Sequence, residues 1–220
     1  MTRRYRVSHD TSYRYAGDVS SSFGRAHLLP RDGPRQRCQQ AAVTVTPTPA
    51  ELREHTDWFG NRATYFAVTQ GHRRLSVLAE STVAVDERPP LSTTPAWDAV
   101  RELLAWGSGV CQDFAHLAVA GLRAMGLAAR YVSGYLETTP PPGRPRMVGA
   151  DASHAWVSVC TGADWLDLDP TNDRLTDASY VELAHGRDYA DMPPLKGVIF
   201  ADSTGSVMDV AVDMIRVDGG

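Results

Sequence analysis

The stretch DASHAWVSVCTGADWLDLDPTN, residues 151–172, holds two short apolar runs on either side of a turn. HAWVSV (154–159) and DWLDLD (164–169) have strand composition, and Thr161-Gly162 suits the bend of a hairpin. Opposed positions of an antiparallel pair keep a constant sum, so pairing Cys160 with Ala163 sets His154 opposite Asp169. Opposed side chains share one sheet face, with Cβ atoms roughly 5 Å apart. A carboxylate there accepts one imidazole N–H, fixes the tautomer and leaves the other ring nitrogen for a second partner. Asp167 is the competing acid, but opposing it to His154 moves the turn onto Cys160-Thr161 and loses the central glycine. Pro170 has no N–H to donate and ends the second strand.

A second partner lies upstream, in WGSGVCQDFAH (106–116). Phe114, Leu117, Ala118, Gly121, Leu122 and Met125 follow helical spacing and predict an apolar stripe. Gly126 fits the residue just past the helix end. Cys111 therefore stands at a helix N-terminus, where unpaired N–H groups and the helix dipole stabilise a thiolate. A free cysteine is by itself more often a small core residue. A nucleophilic cysteine needs a base, and the base needs an orienting acid. Cys111, His154 and Asp169 supply the three in one chain, in an order suited to thiol acyl transfer.

Upstream of the cysteine the chain reads as β. In YRVSHDTSYRY (5–15), Tyr5, Val7, His9, Thr11, Tyr13 and Tyr15 repeat with period two. QQAAVTVTP (39–47), RATYFAVTQ (62–70) and LSVLAESTVAVDE (75–87) are further strand runs, and DWFGN (57–61) is a turn. DERPPLSTTP (86–95) reads as a linker and AWDAVRELLAWG (96–107) as a short helix. After the cysteine helix, LAARYVSGYLE (127–137), GVIFA (197–201) and VMDVAVDMIRV (207–217) read as strands, and TTPPPGRPR (138–146) as a proline-rich loop. The expected class is α+β. An N-terminal antiparallel β domain spans 1–88, and a core spanning 89–220 packs a cysteine-bearing helix on an antiparallel sheet.

Composition narrows the function. The 220 residues are 43% hydrophobic and 22% charged, as in a folded globular protein. A net charge of −4 argues against nucleic acid as a partner. No apolar run reaches membrane-spanning length, and the polar, alternating N-terminus does not read as a signal peptide. A cytoplasmic location is the expectation. Cys38, Cys111 and Cys160 are odd in number and form no CxxC pair, which disfavours a disulfide framework or a zinc site. Cys38 and Cys160 read as structural, Asp113 as a first-turn acid complementing the helix dipole, and His116 as a packing residue. His9 reads as part of the sheet, Tyr135 as a candidate cleft residue, and Arg187 with Asp188 as a local ion pair.

GVCQDFAH, RYVSGYL, DASHAWV and DPTN together resemble the core motifs of bacterial transglutaminase-like proteins, a group described as cysteine proteases. YRVSHDTSYRYAGDVSSS and DWFGN resemble the N-terminal β region that accompanies this core in bacteria, and GRDYADMPPLKGV its C-terminal segment. The resemblance covers nearly the whole chain. It implies a papain-like catalytic triad of Cys111, His154 and Asp169, with no metal or organic cofactor. The implied chemistry is acyl transfer on amide or peptide bonds through a thioester, by protease, amidase or transglutaminase action. The implied substrate is a peptide or protein presenting an amide or glutamine side chain. The chain departs from the family in one place. Only Pro89 to Gly109 stand where the family carries a longer helical stretch. The alternative is therefore a catalytically impaired binding module, with a homo-oligomer as one way to cover the core so exposed. Trp106 is a candidate side-chain oxyanion donor in place of the lost segment.

Overall fold

The structure, a computed structural model, describes residues 1–87, 109–138, 153–162, 164–202 and 205–217. Most of the linker at 86–95, the helix expected over 96–107 with Trp106, most of the proline-rich loop and Asp151 lie outside these residues. The described chain is mostly antiparallel β with one α-helix, in two sheets.

The first sheet is built on one long strand, β1 (Thr2–Ala26). On one edge, β5 (His72–Asp86) runs beside its first half and β4 (Arg62–Val68) beside its second. The outer strands β2 (Gln36–Thr46) and β3 (Glu51–Thr56) pair with β5 and β4. Tyr5, Val7, His9 and Thr11 are all buried, as the period-two pattern requires. Past a register shift between Val19 and Ser21, burial switches to the even positions Ser22 and Ala26. One extra residue in a bulge flips the faces that follow it. In DWFGN only Gly60 takes positive φ, at 79°, and its N–H donates to Asp57 O at 3.0 Å.

The second sheet has the order β10-β6-β7-β8-β9, made of β6 (Ala129–Leu136), β7 (Ser153–Cys160), β8 (Trp165–Asp169), β9 (Arg174–Leu175) and β10 (Tyr180–Gly186). The helix α1 (Cys111–Ala124) packs on β6 and β7. The chain then leaves this sheet. β11 (Leu195–Ala201) and β12 (Ser206–Arg216) return to pair with the free edge of β1. Residues 195–216 therefore complete the first sheet, a difference from the expected division at residue 88. The alternation of Val212 and Met214, both buried, turns these side chains into the core shared with Tyr5 and Val7.

That core joins Tyr5, Val7, Val83 and Val85 of the first sheet to α1 and to Val157 and Leu168 of the second. The α1 stripe keeps Ala118 and Leu122 of the expected set and differs in the rest. Ala115, Ala118, Val119 and Leu122 are buried, whereas Leu117 and Met125 are 42% and 49% exposed and Phe114 is half-buried. Two alanines let the helix lie close to the sheet, with Val119 and Leu122 packed beside them. Burying Leu122 contributes about 2 kcal/mol.

Gly134 on β6 faces His154 across the β6–β7 ladder. A Cβ on Gly134 would collide with the Val181 carbonyl oxygen and the Trp156 indole. Gly134→Ala therefore costs about 3 kcal/mol of stability, because one neighbour is backbone and the other is a 2% exposed ring. Urea unfolding checks this, and an unchanged midpoint contradicts the packing.

Candidate active site

α1 begins at Cys111 after Val110, whose extended backbone (φ −97°, ψ 170°) marks the N-cap. The Asp113 carboxylate accepts from the Val110 N–H at 3.0 Å, and the Asp113 N–H donates to Val110 O at 2.9 Å. Asp113 is thus a helix-start residue, as expected, and its contact holds the first turn that carries the thiol.

The β7–β8 hairpin brings His154 and Asp169 together, though not in the expected register. Cys160 pairs with Trp165 and Val157 with Leu168, a shift of two positions. The turn holds four residues rather than two, closed by Thr161 N–H donating to Asp164 O at 2.9 Å, with Gly162 at φ +101°. A shift of two preserves the face, since side chains alternate with period two. His154 and Asp169 are diagonal rather than opposed, and still touch: His154 Nε2 lies 2.7 Å from Asp169 Oδ2. A carboxylate has no proton to give in this pair, so Nε2 carries it and donates, leaving Nδ1 for the thiol. Asp167, the competing acid, pairs instead with Arg35 at 3.3 Å.

The Asp169 carboxylate is fully buried and accepts from several donors. Oδ2 takes the Tyr180 hydroxyl at 2.6 Å and Asn172 Nδ2 at 2.6 Å. Oδ1 takes the backbone N–H groups of Thr171 at 3.0 Å and Asn172 at 3.2 Å. These last two come from the turn that Pro170 starts. Arg174 Nε in turn donates to the Tyr180 hydroxyl at 2.8 Å, and its guanidinium lies over the Tyr180 ring. Burial opposes the charge on Asp169, but the hydrogen bond and charge of His154, with the hydrogen bonds of Tyr180 and Asn172, outweigh it and hold the group at about 2.

His154 follows the same logic with the opposite sign. Burial works against its protonation, but the hydrogen bonds to Asp169 and to Cys111 raise it to about 9. Cys111 is half-buried, and its thiol is held below the ordinary value. The hydrogen bond with His154 is the main cause, burial opposes it, and the backbone N–H groups of Ala155 and Gln112 add to it. A lowered thiol beside a raised imidazole favours a thiolate–imidazolium pair at neutral pH.

The rings of Trp156 and Tyr180 stand 6.3 and 6.1 Å from the His154 ring and wall it on one side. Trp156, 2% exposed, is thereby both a shield for the imidazole and a packed residue. Tyr135 does not line the cleft: it is 1% exposed and its hydroxyl meets His9 Nδ1 at 2.8 Å. Burial lowers His9 to about 4, in keeping with a neutral sheet residue. His116 packs on Tyr131 at 4.8 Å and accepts from the Tyr189 N–H at 3.3 Å. Arg187 pairs with Asp191 at 2.7 Å rather than with Asp188, which instead caps the short helical turn Tyr189–Asp191.

Tyr180, Asn172 and Arg174 were not legible as site residues. DPTN contains Asn172, but nothing in its spacing shows that the side chain turns back onto Asp169. Tyr180 opens YVELAHG, whose alternation of Val181 and Leu183 with Tyr180 and Glu182 is the signal for β10. Among the described residues no group of His, Cys, Asp and Glu side chains is placed to hold a metal ion, and no helix is long and apolar enough to cross a membrane.

Two family models match the chain: the bacterial transglutaminase-like N-terminal region over residues 5–84, and the transglutaminase-like superfamily core over residues 67–170. Uncharacterized proteins of Mycobacterium bovis and Mycobacterium tuberculosis are 40% identical to it over 296 aligned positions, covering 99% of this chain and 94% of theirs. The alignment is longer than this 220-residue chain, so these relatives carry residues that have no counterpart here. A crystal structure of a putative cysteine protease from Cytophaga hutchinsonii shares the fold, with a TM-score of 0.73 at 20% identity over 100% of this chain and 92% of that one.

Proposed function

The chain belongs to the transglutaminase-like superfamily, and from that premise we propose that it transfers acyl groups from amide or peptide bonds through a thioester on Cys111. The observation that carries this reading is the coupling of Cys111, His154 and the buried, five-times hydrogen-bonded Asp169. The Cys111 thiolate attacks the carbonyl carbon. The resulting oxyanion meets the backbone N–H of Cys111, in the first helical turn where N–H groups lack helical acceptors. The carbon–nitrogen bond breaks as imidazolium His154 gives its proton to the leaving amine. Neutral His154 then takes a proton from the acceptor, and thiolate leaves as the thioester is resolved. Water as acceptor gives hydrolysis or deamidation, and an amine gives transamidation. Asp169 orients the ring and stabilises its charged form. A peptide or protein presenting a carboxamide is the substrate class, and the three free thiols fit a reducing compartment.

p-Nitrophenyl acetate tests the reading without knowledge of the natural substrate. The expected result is a burst of one p-nitrophenol per chain and an acetyl group on Cys111 by mass spectrometry, discharged faster by hydroxylamine than by water. The absence of any Cys111 acylation would favour the second reading, a binding module. The longer chains of the relatives motivate that alternative.

Tyr180 is a positioning residue in this scheme. Tyr180→Phe keeps the ring beside His154 and removes one of the donors to Asp169. A hydrogen bond to a charged group contributes about 1.5–3 kcal/mol, so the deacylation rate falls by about tenfold or more. KM changes little, and an unchanged rate and pH profile would remove Tyr180 from the scheme.

A further inference from the structure

Behind the wall formed by Trp156 and Tyr180 lies a cavity that the proposed chemistry does not use. Its volume is about 580 Å³, and it separates the loop at 31–36 from the sheet face that carries Trp156 and Asp167. The volume is that of a small-molecule site. Trp156, Trp165 and Tyr180 give it aromatic surface, and Arg31, Arg35 and Arg130 also line it.

The three guanidinium groups are not equally compensated. Arg31 stands 3.6 Å from Glu182, and Arg35 stands 3.3 Å from Asp167. Arg130 has no carboxylate within ion-pair distance among the described residues. It lies 4.1 Å over the Trp165 ring and 3.1 Å from His185 Nε2. Nε of Arg130 and Nη1 of Arg35 are both buried with no acceptor among the described residues. Buried N–H groups of native proteins are nearly always satisfied, and a half-buried cation with no anion against it is costly. Burial works against the charge on Arg130 and outweighs the attraction of Glu182 and Asp167 from beyond ion-pair distance. The β10 strand contributes to the same lining from both sides of a register shift between Glu182 and Ala184, which brings Glu182 and His185 into contact at 2.6 Å.

We propose that this cavity binds a small organic monoanion, a carboxylate with an apolar body, anchored by Arg130 and held between Trp156, Trp165 and Tyr180. The charge is limited to one, because Asp167 and Glu182 also line the cavity and would repel a phosphate dianion. The apolar body is set by the aromatic walls. Cys111, His154 and Asp169 do not line it, and the proposal does not depend on the acyl-transfer reading.

Titration of the whole chain with 3-phenylpropionate and benzoate, followed by tryptophan fluorescence, tests the site. The expected result is saturable quenching by the carboxylates, with 3-phenylpropionamide and Arg130→Gln each weakening binding by about tenfold or more. Cys111→Ala binds like the wild type, which separates this cavity from the thiol cleft. If Arg130→Gln does not fold, the acid-to-amide ratio on the wild-type chain and its collapse at high salt decide the matter. No saturation with either carboxylate, equal binding of the amide, full binding by a folded Arg130→Gln chain, or loss of binding in Cys111→Ala overturns the proposal.

Discussion

Cys111→Ala is expected to abolish acyl transfer, lowering the rate by about a thousandfold or more, with the fold intact. The side chain is small, half-buried and only flanks the core around Ala115 and Ala118. Its removal therefore costs little packing, so a large kinetic effect with a nearly unchanged melting temperature separates a nucleophile from a core thiol. Cys111→Ser keeps the volume and still fails, because a hydroxyl does not ionise beside an imidazole as a thiol does. Acylation retained in both variants would sink the nucleophile assignment.

His154→Ala produces the second large loss, about 100- to 10,000-fold, since one group acts as base and acid in both half-reactions. The pH dependence gives it a signature. The rate rises as pH passes the lowered value of Cys111 and the thiolate forms. It falls again near pH 9, where the raised imidazolium loses its proton. Asp169→Asn moves that alkaline limb toward neutrality, because the ring loses its anionic partner. Stability carries the same signs. His154 contributes stability that is complete below its ordinary value of 6.5 and is lost as pH rises through about 9. Asp169 contributes stability present above its ordinary 3.8 and lost as pH falls toward about 2. An alkaline limb that stays in place in Asp169→Asn contradicts the assigned pairing.

Much of this site is legible in the sequence because it depends on parity. His154 and Asp169 fall on one face whether the turn holds two residues or four, so a wrong register still joins the right pair. What parity cannot supply is the support of Asp169 from outside the hairpin. Tyr180 reaches it from β10, a strand whose place beside β6 is fixed by tertiary pairing. The α1 stripe shows a second limit. Helical spacing places Leu117 and Met125 beside Ala118 and Leu122 in one stripe, while the sheet buries Ala118 and Leu122 together with Ala115 and Val119 and leaves Leu117 and Met125 exposed. The return of β11 and β12 to β1 pairs residues far apart in the chain, as Val212 does with His9, and no local pattern in GVIFA or VMDVAVDMIRV encodes that partner.

The most direct test of an activated thiol is the rate of iodoacetamide alkylation at each cysteine, read by peptide mass spectrometry across pH. Burial and nearby acids raise the Cys38 thiol, although Arg62 lies against it, whereas His154 lowers that of Cys111. Cys111 should therefore react first at neutral pH and lose that advantage in His154→Ala. Equal, slow labelling of Cys38, Cys111 and Cys160, or a Cys111 rate unchanged in His154→Ala, would contradict the coupling on which the proposed chemistry rests.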